Sequence, residues 1–272
     1  MKAIVISASS DIGAALCRRW VSNGWTVSGT YRSHSQTVAD LKKDGVCLVE
    51  CDLADQASIK NAAGQLMALV SGWDVIVMAP GTQGPVTPFA DSDFDAWALS
   101  VDINFVNQMR MVHALLPGRN INNALGPCVL FFAGGGTNNA VTSYSAYTIS
   151  KIALIKMCEL LDAEIPDARF AIIGPGWVKT KIHQETLEAG EKSAGSNYQK
   201  TVAKLAGNDC TPMNAVLDSC DWVINMPKEV ISGRNFSTVY DKWGTVELAD
   251  LLRKDSNFYK LRRYGNERLL RE

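Results

Sequence analysis

The sequence predicts an α/β protein. One doubly wound parallel sheet of about seven strands is flanked by helices and followed by a C-terminal extension. Two observations predict it. Short, continuously apolar runs of strand length alternate with longer segments whose apolar residues recur at helical spacing. That is the pattern of strands buried on both faces and joined by crossover helices. Residues suited to ligand chemistry also fall just after those runs, at the carboxyl ends of the strands, where a doubly wound sheet holds its ligand.

Residues 2–7 read as the first strand, and Ile12, Ala15, Leu16 and Trp20 mark the helix after it. Asn23-Gly24 ends that helix, and 25–31 reads as the second strand. A helix over about 35–43 leads to a strand at 46–51, and a helix over about 56–71 leads to a strand at 74–78. One long helix covers about 93–116, followed by a strand at 128–133 and a helix over about 144–164. A strand at 169–173 precedes an irregular region, a helix near 214–225 and a last strand near 235–239. With no linker, composition break or internal repeat, 1–240 reads as one domain. The extension 241–272 carries eight basic residues against six acidic ones, so it is mildly basic and free either to pack on a neighbouring subunit or to lie over the active site.

Composition narrows the function classes. With 27 Lys+Arg against 28 Asp+Glu and 47% hydrophobic residues, the chain is an ordinary globular one with no electrostatic case for nucleic acid or an acidic membrane. The first 13 residues lack the long apolar stretch of a signal peptide, and no window approaches a membrane span. Seven cysteines, most of them inside apolar segments and none in a CxxC pair, read as reduced core residues. His34, His113 and His183 have no metal-ligand spacing. A cytoplasmic enzyme or binding protein acting on a small molecule is expected, with no metal.

Three segments carry chemistry. The first strand ends in Ser7-Ala8-Ser9-Ser10-Asp11-Ile12-Gly13, a tight turn of small residues before a helix, suited to backbone approach to a pyrophosphate. Asp11 fits only if its carboxylate turns away, and capping by Ser9, Ser10 or Asp11 is the alternative use of the turn. The second strand ends with no acid to bind a ribose 2′-hydroxyl. Arg32, beside Ser33, offers a fork of donors for a 2′-phosphate, unless it is simply a solvated loop arginine. Tyr147 and Lys151, four apart after the fifth strand, share one helix face, where a cation would lower the phenol's pKa toward acid/base use.

With these segments in hand, the chain resembles the short-chain dehydrogenase/reductase family from about residue 2 to residue 240, which implies a Rossmann-type sheet. Ser7 to Gly13 is similar to the family's glycine-rich turn with only the last glycine kept. Asp52-Leu53 resembles its adenine-contacting pair, and Ala79-Pro80-Gly81 the end of its Asn-Asn-Ala-Gly segment. Asn104 matches the active-site asparagine, and Tyr147 and Lys151 the catalytic pair. Pro175-Gly176, with Val178 and Thr180, resembles the stretch at the nicotinamide end, and 232–236 the turn into the last strand.

The resemblance implies hydride transfer between NADP(H), or else NAD(H), and a ketone or secondary alcohol. Tyr147 would exchange the proton, Lys151 would hold ribose hydroxyls and Asn104 would order a water. It also implies a homodimer or homotetramer through the helices at about 93–116 and 144–164, with Met109, Met111, Val112, Leu154, Met157, Leu160 and Leu161 as apolar surface.

One departure stands out. The family's active-site serine falls at Gly134, so the carbonyl loses a donor unless Thr137, Thr142 or Ser143 replaces it; alternatively, the glycines let the backbone approach a bulky polar substrate. The missing serine and thinned glycine turn leave a second reading open, a regulatory or scaffolding nucleotide binder without turnover. The segment 181–213 falls where the family keeps its substrate cover, and its Lys, Glu, Gln and Asn content points to a polar substrate or to a merely solvated lid. The 134–138 and 235–237 tracts are similar to those of members associated with bacterial surface-carbohydrate synthesis, which implies a sugar or sugar-nucleotide substrate.

Overall fold

The computed structural model describes residues 1–264. Strands β1 (Lys2–Ile6), β2 (Thr26–Tyr31), β3 (Cys47–Glu50), β4 (Val75–Met78), β5 (Cys128–Phe132), β6 (Arg169–Gly174) and β7 (Arg234–Ser237) form one sheet in the order β3-β2-β1-β4-β5-β6-β7. Every neighbouring pair is parallel, with β1 central in register between Ile4↔Ser28 on one side and Ile4↔Ile76 on the other.

Helices α1 (Asp11–Ser22), α2 (Gln36–Lys43), α3 (Gln56–Leu69), α4 (Phe94–Val101), α5 (Asn107–Leu115), α6 (Ser145–Glu164), α7 (Gln184–Ala194), α8 (Ser196–Ala206), α9 (Met213–Ile224), α10 (Lys228–Ile231) and α11 (Val246–Lys254) complete the layers. Alternate strand residues feed two cores, because successive side chains of a strand point to opposite faces. Ala3, Val5, Val75 and Val77 pack with Leu16 and Trp20 of α1 and with Val216 and Val223 of α9. Ile4, Ile6, Ile76 and Met78 pack with Leu66 of α3, Met111 of α5 and Leu154 of α6.

Three segments differ from the sequence expectation. The long helix expected over 93–116 is interrupted by a π turn at Asp102–Val106, because the buried Asn104 side chain is bonded to the backbone of another loop. A wider turn accommodates that pull. The region expected to be irregular after β6 contains α7, kinked at Gly190 (φ 74°), and α8, joined to it at Gly195 (φ 57°), a backbone region that glycine enters at little cost.

The segment after β7 folds on its own chain rather than over the active site. Leu248 and Leu252 of α11 join the first core, and the buried Arg234 guanidinium donates to the carbonyls of Leu252, Asp255 and Phe258. Asn235 N–H donates to Tyr259 O along the edge of β7, and Arg262 pairs with Glu159 of α6. Residues 265–272 of the extension lie outside the described residues.

Candidate active site

The carboxyl ends of β1, β2, β4 and β5 converge on one crevice. At β1 the turn takes a tight form although two of the three glycines are absent. Ser7 sits at φ 61°, a conformation that costs a residue with a Cβ about 1–2 kcal/mol. It is held by its N–H to Thr30 Oγ1 at 2.9 Å, and its carbonyl accepts from Ser10 N. Ser10 is the residue that caps α1, its Oγ accepting from Gly13 N at 3.1 Å. A Cβ on Gly13 would lie 2.6 Å from Ser7 O, so the glycine is obligatory in this turn.

Asp11 does turn away, its Oδ2 accepting the backbone N–H of Lys181 at 2.8 Å, while Lys181 Nζ donates to Ser9 O at 2.9 Å. Ile12 follows in the first turn of α1. Arg32 and Ser33 are exposed at the end of β2. Asp52 Oδ1 accepts from Ala54 N, and the buried Leu53 offers its carbonyl to Asn107 Nδ2 at 2.7 Å.

The Tyr147–Lys151 pair lies one turn apart on α6, with Lys151 Nζ 5.6 Å from the phenol ring centroid. Lys151 is buried, and its ammonium donates to Pro80 O at 3.4 Å. Gly81, just beyond Ala79-Pro80, has Lys151 Nζ 3.9 Å and Asn104 Oδ1 4.0 Å from where a Cβ would stand. Asn104 is fully buried. Its Oδ1 accepts from Thr82 N at 3.0 Å and its Nδ2 donates to Thr82 O at 2.8 Å, pinning the loop after β4. Both ends of that side chain are thus engaged, and its backbone carbonyl is the remaining acceptor on the residue. Gln108 Nε2 already donates there at 2.8 Å.

The electrostatics differ from the expectation for Tyr147. Its phenol is pushed up to about 12 rather than down, first by burial and then by the charge of Glu185. The ammonium stands off the ring face and is not bonded to the phenolic oxygen, so it does not reverse these effects. Burial draws Lys151 down to about 8.

At Gly134 the absent serine has a steric counterpart. A Cβ there would lie 2.6 Å from Tyr147 Cε1 and 2.8 Å from its hydroxyl, so the ring occupies the space that a side chain would need. None of the three expected hydroxyl substitutes is bonded to Tyr147. Thr137 lines a shallow surface pocket with Asn139, Thr148 and Ile149, Thr142 is exposed, and Ser143 is buried at φ 67°.

Beyond β6, Pro175-Gly176 continues to Trp177, whose ring stacks on His183 at 3.9 Å with Lys204 Nζ 5.7 Å from its centroid. Val178 is buried, its carbonyl 2.9 Å from His183 Nε2, and Thr180 leads into the cover. Several participants escaped sequence reasoning. Gln108 lies four residues after Asn104, and Trp177 lies inside the nicotinamide-end stretch; both spacings were visible. Glu185, on α7, accepts at Oε2 from Thr82 Oγ1 (2.9 Å), Gln83 N (2.6 Å) and Gly84 N (2.6 Å), contacts that no spacing rule signals.

The sheet order and the crevice at its strand ends define a Rossmann-like α/β protein. The chain belongs to the short-chain dehydrogenase/reductase family: the family model described as short chain dehydrogenase matches residues 1–191. This is a family of oxidoreductases that use nicotinamide cofactors on small molecules. The chain is 26% identical over 251 residues to the NADP-dependent 3-hydroxy acid dehydrogenase YdfG of Salmonella typhi, covering 88% of this chain and 93% of the relative. It is 24% identical over 237 residues to the serine 3-dehydrogenase of Rhizobium radiobacter, covering 84% and 89%. Among solved structures, a short chain dehydrogenases/reductase from Saccharomyces cerevisiae superposes with a TM-score of 0.79 at 22% identity, covering 92% of this chain and 98% of that one. An actinorhodin polyketide ketoreductase with NADPH superposes with a TM-score of 0.73 at 19% identity, covering 87% and 94%.

Among the described residues no helix is long and apolar enough to cross a membrane, and no group of three or more His, Cys, Asp or Glu could hold a metal ion.

Proposed function

We propose that this chain is an NADP(H)-dependent oxidoreductase that interconverts a ketone and a secondary alcohol, with Tyr147 as the proton-exchanging group. The observation that carries the proposal is the convergence of Tyr147, Lys151, Asn104 and Gly81 where β4 and β5 end. The residues present fit a dinucleotide. A Cβ at Gly13 would fill the turn before α1, Gly81 is exposed beside Lys151, and Arg32 is exposed where a 2′-phosphate would lie. When bound, the nicotinamide supplies or accepts the hydride.

The chain's own residues would do the rest. Backbone at Ser7, Ala8, Ser9 and the start of α1 would face the pyrophosphate, and Asp52-Leu53 the adenine. Arg32 would select NADP(H) over NAD(H), in keeping with the NADP-dependent relative. Lys151, freed from its long bond to Pro80 O, would hold ribose hydroxyls and bias the phenol electrostatically. Asn104, by fixing Thr82, would hold the loop that presents Gly81. Tyr147 would donate its proton to the carbonyl oxygen in reduction and take it back in oxidation, a role that typically contributes 10²–10⁴ in rate.

On the substrate, several of the polar residues of 181–213 that pointed to a polar substrate or a solvated lid face outward, while Glu185 and Thr186 face inward. Glu188, Glu191, Lys192 and Lys200 are exposed, and the inner face of the cover packs Ala189, Ala194 and Tyr198 with Tyr144, Val86 and Tyr147. A small ketone or alcohol with an apolar flank fits that surface better than a sugar nucleotide.

A homodimer or homotetramer is part of the proposal. Met111, Val112, Leu154 and Leu161 are core residues, while Phe94, Leu99, Ile149 and Leu160 remain exposed on α4 and α6. A cytoplasmic setting accords with seven free cysteines, five of them buried.

The test is reduction of a carbonyl panel with NADPH. Activity in the wild type that is lost in Tyr147→Phe, with NADPH binding retained, is the expected result. Turnover surviving that change would sink the assignment. Tight NADPH binding without hydride exchange would favour the non-catalytic binder that Gly134 and the glycine-poor turn also suit.

A further inference from the structure

The cover helix α7 brings one charged side chain to the candidate reaction centre. Residues 182, 185, 186 and 189 share a helix face by their spacing. Ile182 Cδ1 lies 3.3 Å from where a Cβ on Gly81 would stand, Thr186 Oγ1 bonds Gln83 Oε1 and Tyr144 OH, and Ala189 packs in the cluster that contains Tyr144 and Tyr147. Among these apolar and neutral neighbours, Glu185 is the one formal charge. All three of its hydrogen bonds fall on Oε2, leaving Oε1 without a bonded donor among the described residues.

Building on the oxidoreductase reading above, we propose that Glu185 is a specificity-determining residue that excludes carboxylate-bearing substrates and favours ketones whose neighbouring group is uncharged or donates a hydrogen bond.

Three features support this. Two backbone amides and a hydroxyl hold the carboxylate, so it cannot swing aside without leaving those donors unpaired. Of the nearby cations, Lys181 donates to Ser9 O and Lys204 lies over the Trp177 ring, while Lys151, on the Tyr147 side, is the group the oxidoreductase reading assigns to the ribose hydroxyls. A carboxylate placed beside Glu185 would meet a like charge at the unbonded Oε1, a repulsive element of the kind that sets specificity. Lastly, the charge of Glu185 is one of the two causes that hold the Tyr147 phenol up, so its field already reaches the reacting group.

The experiment compares acetoacetate with its neutral ethyl ester in the wild type and in Glu185→Gln. The amide keeps an acceptor oxygen for Thr82, Gln83 and Gly84 but removes the charge. The wild type is expected to prefer the ester in kcat/KM. Glu185→Gln should narrow that preference by about 10- to 100-fold, the range that one like-charge pair spans at roughly 6 Å and an effective dielectric constant of about 20–40. A preference unchanged in Glu185→Gln, or a wild type that favours acetoacetate, overturns the proposal.

A second readout needs no turnover. Deprotonating Tyr147 places an anion in the same chamber, so its ultraviolet phenolate titration, with Tyr147→Phe subtracted, reports the same repulsion. Glu185→Gln should lower the midpoint, and an unmoved midpoint overturns the proposal. A lowered midpoint with neither ketone reduced would support the exclusion by Glu185 and count against the oxidoreductase reading instead.

Discussion

Replacing Gly134 with serine restores the residue type that the family pattern expects at the end of β5, and by that pattern it should help catalysis. The structure predicts the opposite. The new Cβ would stand 2.6 Å from Tyr147 Cε1, 2.8 Å from its hydroxyl and 2.9 Å from Cζ. Ordinary carbon contacts lie at about 3.5–4.0 Å, so the overlap is about 1 Å. The ring has little room to retreat, because Val86, Tyr144, Val141, Ala189 and Tyr198 pack in the same cluster.

Overpacking of this kind costs about 1–3 kcal/mol. In a chain of 272 residues that lowers Tm by about 2–5 °C. Displacing an acid/base group by about 1 Å costs roughly 10² in turnover. The assay is kcat for reduction with NADPH, together with thermal melts, for Gly134→Ser and Gly134→Ala. Both variants should fall alike, because the clash belongs to the Cβ and not to the hydroxyl. A serine variant that turns over as fast as wild type at undiminished Tm would refute the steric argument. Rescue by serine but not by alanine would show that the missing hydroxyl mattered.

Arg32→Ala should weaken NADPH binding by about 10- to 100-fold, the worth of a charge-assisted phosphate contact, while barely moving NADH. Fluorescence titration with both cofactors checks this, and equal losses for the two would remove Arg32 from the 2′-phosphate site. Lys151→Met should abolish turnover yet stabilise the fold at pH 7, read by urea unfolding. Burial lowers the ammonium from 10.5 to about 8, so the unfolded chain binds more protons between those values. Wild-type stability therefore rises with pH through that window, and below it the full cost of about 3–4 kcal/mol is present. The advantage of the methionine variant should accordingly be largest at and below pH 8 and shrink toward pH 10.5.

Every strand was legible in the sequence to within a few residues, most plainly where burial on both faces makes a strand apolar throughout, as 75–78 and 128–132 are, and less so at the edge strands β3 and β7. Helical spacing alone put Tyr147 and Lys151 on one face, Asn104 entered through the family resemblance, and the structure places all three near the ends of β4 and β5. What escaped depends on contacts between segments far apart in sequence. The π turn at Asn104 follows from bonds to Thr82, 22 residues earlier, and Glu185 finds its donors about 100 residues away. The polarity of 181–213 left the substrate open for another reason, since composition does not say which face of a helix is turned inward. The phenol's rise to about 12 likewise needed the burial and the Glu185 carboxylate, neither of which the Tyr-Lys spacing reveals.

The bonds of β7 reach past the end of the sheet. Its Asn235 N–H is met by Tyr259, and its Arg234 by carbonyls up to Phe258. During synthesis this strand therefore emerges before the residues that complete it. A nascent chain that has reached 240 holds all seven strands but still carries a bare outer border and a buried cation without its acceptors. Such a border invites pairing with another chain. Residues 241–264 thus add no new layer to the molecule but complete an existing one. They also cover the outer edge of β7, so a chain cut at 240 is expected to associate more readily than the full one.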